Sequence, residues 1–291
     1  MLIDTHCHLH DRDFFSEKQA EEMLERAHKN GVLKIVCIGT DPVDSLAARD
    51  FAAKHEGVYW TYGTHPEEAG SQRPFEGPAE PGKASLSAAR PWRQNNEARE
   101  NRARSVLQAR QFCHETRRAE RTQPEKGCGC RPIAIGEVGL DYHSEGYDRE
   151  AQIRLFEEML QLANDNNLPV VFHVRNAFDD FLPVVANFPK TRGVVHSFTD
   201  SKKTLKKILE TTDFYVGVNG LATYSTLPTP PLERILLETD APFLTPKPFR
   251  GIINEPGYIL NIAQWLSQKL DVDFKTIEKE TTKNAERLYG F

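Results

Sequence analysis

Eight short apolar runs, separated by amphipathic stretches, constrain this chain more than any other feature. They cover residues 2–9, 33–40, 58–65, 133–141, 169–174, 193–198, 214–219 and 234–240. Near-continuous apolar character suits strands buried on both faces, as in a parallel sheet under helices. Helical patterns fill most of the gaps. Ser16 is placed to cap a helix running to Asn30, with Gly31 just past its end. Asp41-Pro42 starts a second, with proline in the first helical position. A third, over 148–167, carries Ile153, Phe156, Met159, Leu160 and Ala163 on one face. Others are expected at 176–187, where Pro183 should kink or shorten the helix, and at 200–211, 255–270 and 273–289. Eight strands alternating with helices predict an α/β chain folded as a (β/α)₈ TIM barrel, not an open sheet.

Two stretches break the alternation. The link at 220–231 contains Pro228, Pro230 and Pro231 and is too short for a full helix. The outer ring is therefore expected to be thin there, exposing apolar surface on the seventh and eighth strands. The second stretch, 70–132, has no strand signal, holds 11 of the chain's 21 Arg but only 2 of its 16 Lys, and carries a net charge of +6. A helix over 95–120 would be solvated all round. We read residues 1–291 as one barrel with an irregular Arg-rich insertion at about 70–132. An arm for nucleic acid, or a stretch foreign to the fold, are the other readings.

The whole chain has a net charge of −5, so the remainder carries −11. That argues against a broad basic surface for sequence-specific nucleic-acid binding, but not against an enzyme that grips phosphates through metal ions. No apolar run is long enough for a membrane span, and the N-terminus lacks the basic and apolar regions of a signal peptide, so the expected location is the cytoplasm. Cys7 and Cys37 fall in apolar runs and read as buried thiols. Cys113, Cys128 and Cys130 lack the paired spacing of a zinc site.

The polar residues that end the apolar runs carry the chemistry. The first run closes on His6-Cys7-His8, and residues two apart in a strand share a face. The fourth encloses Glu137, a carboxylate too costly to bury without a cation or a proton. The fifth, sixth and eighth carry His173, His196 and Asp240 at or near their ends. Four imidazoles and two carboxylates thus gather at the C-terminal ends of strands one, four, five, six and eight, where barrel active sites are built. A mixed set of this kind suits one or two divalent cations such as Zn, Mn or, with more water, Mg. His65 ends the third run and Arg175 directly follows the fifth, and both are candidates for phosphate contact. The plainer readings are a turn residue before Pro66 and a partner for a helix carboxylate.

The motifs Ile3-Asp4-Thr5-His6-Cys7-His8, Gly63-Thr64-His65-Pro66, Ile135-Gly136-Glu137-Val138-Gly139-Leu140-Asp141, Phe172-His173-Val174-Arg175, Val195-His196-Ser197-Phe198 and Leu237-Glu238-Thr239-Asp240-Ala241-Pro242 together resemble those of the TatD-type metal-dependent DNases, a branch of the amidohydrolase superfamily. Arg250-Gly251, Asn254-Glu255-Pro256 and the run from Thr282 to Leu288 fit as well. The resemblance covers nearly everything outside 70–132. It implies that His6, His8 and Asp240 hold one metal, His173 and His196 the other, and that Glu137 bridges them. It also implies hydrolysis of DNA phosphodiester bonds, as a 3′ exonuclease. A cation-activated water would attack phosphorus with Asp240 as base, and Glu137 and His65 would complete the catalytic group. Two alternatives remain beside a DNase: a related hydrolase of another phosphoester or amide, and an inactive metal-binding barrel.

Overall fold

The computed structural model describes residues 1–69 and 131–291. The expectations placed on 70–130, including the 95–120 helix and Cys113, Cys128 and Cys130, lie outside the described residues. The strands are β1 (Leu2–Cys7), β2 (Val32–Cys37), β3 (Val58–Tyr62), β4 (Ala134–Asp141), β5 (Val170–Arg175), β6 (Gly193–Val195), β7 (Tyr215–Val218) and β8 (Ile235–Leu237). They form one sheet in sequential order, and every neighbouring pair is parallel.

The ring closes just past β8. The Asp240 N–H donates to the His6 carbonyl at 2.8 Å and the His8 N–H to the Ala241 carbonyl at 2.7 Å. Side chains stitch the same seam. Asp4 accepts from the Thr239 N–H at 2.9 Å and from its hydroxyl at 2.5 Å, while the Thr5 hydroxyl donates to the Leu237 carbonyl at 2.9 Å. The expected TIM barrel is thus present and nearly closed.

The helices are α1 (Glu17–Lys29), α2 (Pro42–Ala52), α3 (Arg149–Asn166), α4 (Phe178–Ala186), α5 (Lys202–Thr211), α6 (Ile259–Leu270) and α7 (Phe274–Tyr289). Their starts follow from capping chemistry. Ser16 and Gln19 form a reciprocal capping box on α1. Asp41, Asp148, Ser201 and Asp273 accept first-turn N–H groups of α2, α3, α5 and α7. Helix α4 starts two residues later than its sequence pattern, without a side-chain cap, and keeps Pro183 inside its nine residues. The expected helix from 255 opens instead as a 3₁₀ turn at Pro256–Tyr258 before α6.

Two apolar layers result. Ile3, Val36, Ala134, Val171, Val194, Tyr215 and Leu236 cluster with Ala285, Leu288 and Tyr289 of α7, filling the barrel near the starts of its strands. The larger layer joins the outward strand residues, such as Trp60, Phe172 and Val216, to the helices.

One expectation is corrected. Apolar surface on β7 and β8 is not exposed: Val216 is fully covered, and no residue of β8 exceeds 1% exposure. The link after β7 forms two 3₁₀ turns, Gly220–Thr223 and Leu232–Arg234. Pro228 and Pro230 of that link and Trp265 of α6 line a small cavity together with Val216 and Val218, and α7 packs on β8. Proline excludes a long helix but still supplies apolar cover.

Candidate metal centre

The strands are shorter than their apolar runs, and this decides where the polar residues stand. His6, Glu137 and His173 lie within β1, β4 and β5, whereas His8, His65, His196 and Asp240 lie in the loops just beyond strand ends. Ser197 and Asp240 adopt left-handed backbone conformations, φ 48° and 59°. Such conformations cost about 1–3 kcal/mol each in non-glycine residues and persist where the surroundings enforce them. They turn the chain out of the ladder at Asp240 and directly after His196.

Glu137 is the pivot. Its Oε1 lies 2.7 Å from His173 Nδ1, 3.1 Å from His196 Nε2 and 3.9 Å from His65 Nε2, and its Oε2 lies 3.5 Å from His6 Nε2. Burial raises its proton affinity, but the imidazoles around it, His196 foremost, hold the carboxyl well below its usual range. The approach of β3 that makes this possible depends on Gly63, where a Cβ would lie 2.2 Å from the Glu137 nitrogen. Asp240 completes the opposite side, with its Oδ1 3.3 Å from His6 Nε2 and 3.5 Å from His8 Nε2.

Three sets of donor atoms converge within 4.8 Å of one another: His6, Glu137 and His196; His6, His8 and Asp240; and His65, Glu137 and His173. The six residues expected as ligands are therefore brought together, and His65 joins them. Arg175 does not. It ends β5 with its side chain exposed and makes no ion pair with a described residue.

The chemistry of the donors fits a divalent cation. His6 is completely buried, yet neither ring nitrogen has a hydrogen-bond partner. Its ring stacks on that of His196 at 3.9 Å. Burial and the nearby His196 hold His6 well below its ordinary pKa, so it stays neutral with a lone pair to donate. The Nδ1–H of His8 donates to the Ile38 carbonyl at 3.2 Å, which turns Nε2 toward Asp240. Such an outer hydrogen bond commonly orients a metal-binding histidine.

His65 is different. Its Nδ1 accepts the Glu67 N–H at 3.3 Å, so its proton sits on Nε2, which faces Glu137. Burial, with His173 beside it, lowers its pKa to about 3. A neutral imidazole with a fixed Nε2–H is a hydrogen-bond donor toward the site.

Sequence reasoning assigned no role to the carboxylates that orient these rings. Asp141 accepts from His173 Nε2 at 2.9 Å and from the His143 N–H at 2.8 Å. Glu238, 1% exposed, accepts from the Ser197 N–H at 2.6 Å and faces His196 Nδ1 at 3.5 Å. Asn219 reaches it at 3.3 Å and binds the Ser197 hydroxyl at 2.8 Å. The signal for both was an acidic residue within an apolar run, four residues after Glu137 in one case and two before Asp240 in the other.

The family model described as TatD-related DNase matches residues 3–290. YabD of Bacillus subtilis, named an uncharacterized metal-dependent hydrolase, is 28% identical, with 99% of each chain covered. The 3′-5′ ssDNA/RNA exonuclease TatD of Citrobacter rodentium is 28% identical over 94% of this chain and 92% of its own. The crystal structure of the TatD homologue YJJV from Escherichia coli K12 superposes with a TM-score of 0.76 at 25% identity, covering 100% of this chain and 98% of that one. No helix among the described residues is long and apolar enough to cross a membrane.

Proposed function

Because the chain belongs to the TatD-related DNase family, we propose that it is a metal-dependent deoxyribonuclease that shortens DNA from the 3′ end. One observation carries the reading: Glu137 stands among His6, His65, His173 and His196 with Asp240 across the same pocket. His6, His8 and Asp240 would hold one cation, His173 and His196 a second, and Glu137 both. Bound there, divalent cations lower the pKa of water and neutralise charge on a phosphoryl group.

The chain's own groups do the rest. Asp240 accepts the proton of the attacking water through its carboxylate. His65 offers its Nε2–H to a phosphoryl oxygen, where a placed donor stabilises developing charge. Glu238 and Asp141 keep the His196 and His173 rings aimed at the pocket. Arg175, exposed at the end of β5, is free to meet a phosphate farther along the strand. The free thiols of Cys7 and Cys37 suit a reducing cytoplasm.

The test is degradation of a 5′-labelled single-stranded oligonucleotide, followed by the ladder of shortened products. Chelator, Glu137→Ala and Asp240→Asn should each abolish the ladder while circular dichroism shows the fold retained. Full activity in either variant would end this reading. Aryl phosphodiesters and cyclic amides in the same panel distinguish a nuclease from a hydrolase of another ester or amide.

A further inference from the structure

Two phenylalanines stand in solvent beside the metal centre. Phe14 is 46% exposed and Phe243 is 45% exposed, and their rings meet edge to face at 5.2 Å. Phe243 also lies edge-on to His8, with centroids 6.3 Å apart. The pair comes from the loops that follow β1 and β8, the strands leading to His6, His8 and Asp240.

Neither ring is needed for the core. Phe15, next in sequence, is the one that packs inside, at 1% exposure. The backbone beneath each exposed ring is nevertheless fixed. The Phe15 N–H donates to the Asp11 carbonyl, and the Asp11 N–H to the His8 carbonyl, both at 3.0 Å. On the other side, the Phe243 N–H donates to the Asp240 carbonyl at 2.8 Å. Asn254, completely buried, donates to the Phe243 carbonyl at 2.6 Å and to the Thr239 carbonyl at 2.8 Å. Asn254 thus pins both ends of the loop that carries Phe243.

The same loop carries cations. Lys247 and Arg250 lie over the Tyr224 ring, at 5.3 Å and 5.4 Å from its centroid. Neither forms an ion pair with a described residue. A water-facing aromatic pair on a fixed backbone at the mouth of the site, with cations free of carboxylate partners on the loop of Phe243, matches a strand of unpaired bases on a phosphate backbone. Bases stack on aromatic side chains whatever their identity, and the backbone follows positive charge.

We propose that Phe14 and Phe243 form a stacking platform for the unpaired bases at the 3′ end of single-stranded DNA, with Lys247 and Arg250 contacting the phosphates that follow. The proposal rests on the nuclease reading and specifies which residues select a single strand. It assigns these residues to substrate binding and leaves the proton transfers to Asp240 and His65.

The experiment compares kcat/KM at fixed salt for twelve-nucleotide thymidine oligomers with an intact 3′ end or with two abasic residues there. Wild-type protein should prefer the intact end by about fivefold or more, the range expected for one stacked base. Phe14→Ala/Phe243→Ala should lose that preference, falling on the intact oligomer to the rate for the abasic one, through KM more than kcat. Phe243→Trp should restore it, and unchanged divalent-metal uptake by the double variant verifies that the centre is intact. Equal cleavage of both oligomers by wild type, or undiminished preference in the double variant, would overturn the platform while leaving the nuclease standing. Wild-type protein that takes up metal and cleaves neither oligomer would overturn both.

Discussion

His196 turns its Nδ1 toward Oε1 of Glu238 at 3.5 Å, inside a part of the protein closed to solvent. Its Nε2 is thereby aimed at Glu137. Burial alone would lower the His196 pKa, but Glu137 and Glu238 together raise it well above its ordinary value. The other oxygen of Glu238, Oε2, has no hydrogen-bond partner, and the carboxylate's one ion pair among the described residues is with this imidazole. Glu238→Gln keeps the shape and an acceptor for the Ser197 N–H while removing the charge. Affinity for divalent cations should fall by about 10- to 100-fold, as for other outer partners of metal-binding histidines. Calorimetric titration of metal-stripped protein reads it, and unchanged affinity would deny Glu238 this role.

The space Glu238 occupies exists because residue 217 is glycine. A Cβ there would lie 2.3 Å from a Glu238 carboxylate oxygen. Gly217→Ala should cost about 1–3 kcal/mol of stability, the usual penalty of overpacking, and should weaken metal binding in the same direction as Glu238→Gln. Thermal melts of the apoprotein measure the first effect and titration the second.

His65 separates a donor from a ligand. If its Nε2–H serves the phosphoryl group, His65→Ala should lower kcat by about 100-fold, the loss typical of one placed donor. Metal affinity should remain. A fall in metal affinity equal to that of His173→Ala would make His65 a ligand instead.

The His10–Asp44 pair gives a pH signature beside the pocket, with the His10 ring 6.2 Å from that of His8. His10 Nε2 lies 2.8 Å from Asp44 Oδ1, joining the loop after β1 to the first turn of α2. Burial would lower the His10 pKa, but Asp44 and Cys37 raise it to about 10, while His10 holds Asp44 below its ordinary value. Below the unfolded histidine pKa of 6.5 the imidazole is charged in both states, and the pair contributes in full. As pH rises from there toward 10, the unfolded chain has released a proton the folded protein still holds, and stability falls. On the acid side the contribution fades once Asp44 is protonated. Asp44→Asn should therefore destabilise by about 3 kcal/mol near pH 6, and the gap in melting temperature should close toward pH 10. A gap independent of pH would contradict this account of the pair.

The barrel was legible because its strands are apolar throughout and its helices are amphipathic, two patterns that survive at the level of single residues. Strand lengths were not. The runs ending at His65, Phe198 and Asp240 look continuous in apolar character, but β3, β6 and β8 end at Tyr62, Val195 and Leu237, with left-handed turns following at Ser197 and Asp240. The proximity of His6, His8, Glu137, His173, His196 and Asp240 followed from strand counting alone. Asp141 and Glu238 escaped because their role depends on which ring nitrogen they face, and strand periodicity gives only the side of the sheet. The exposed strands expected at β7 and β8 failed for another reason: the prolines at 228, 230 and 231 rule out a helix without ruling out a covering loop.

The central claim is that divalent cations held around Glu137 allow this barrel to cut a phosphodiester backbone. The most direct measurement is cleavage of single-stranded DNA by metal-stripped protein as a divalent cation is added back. The account predicts no cleavage at the start, activity that rises and saturates with added cation, and an inert Glu137→Ala at every concentration. Undiminished cleavage by the stripped protein, or cation-dependent cleavage by Glu137→Ala equal to wild type, would contradict it.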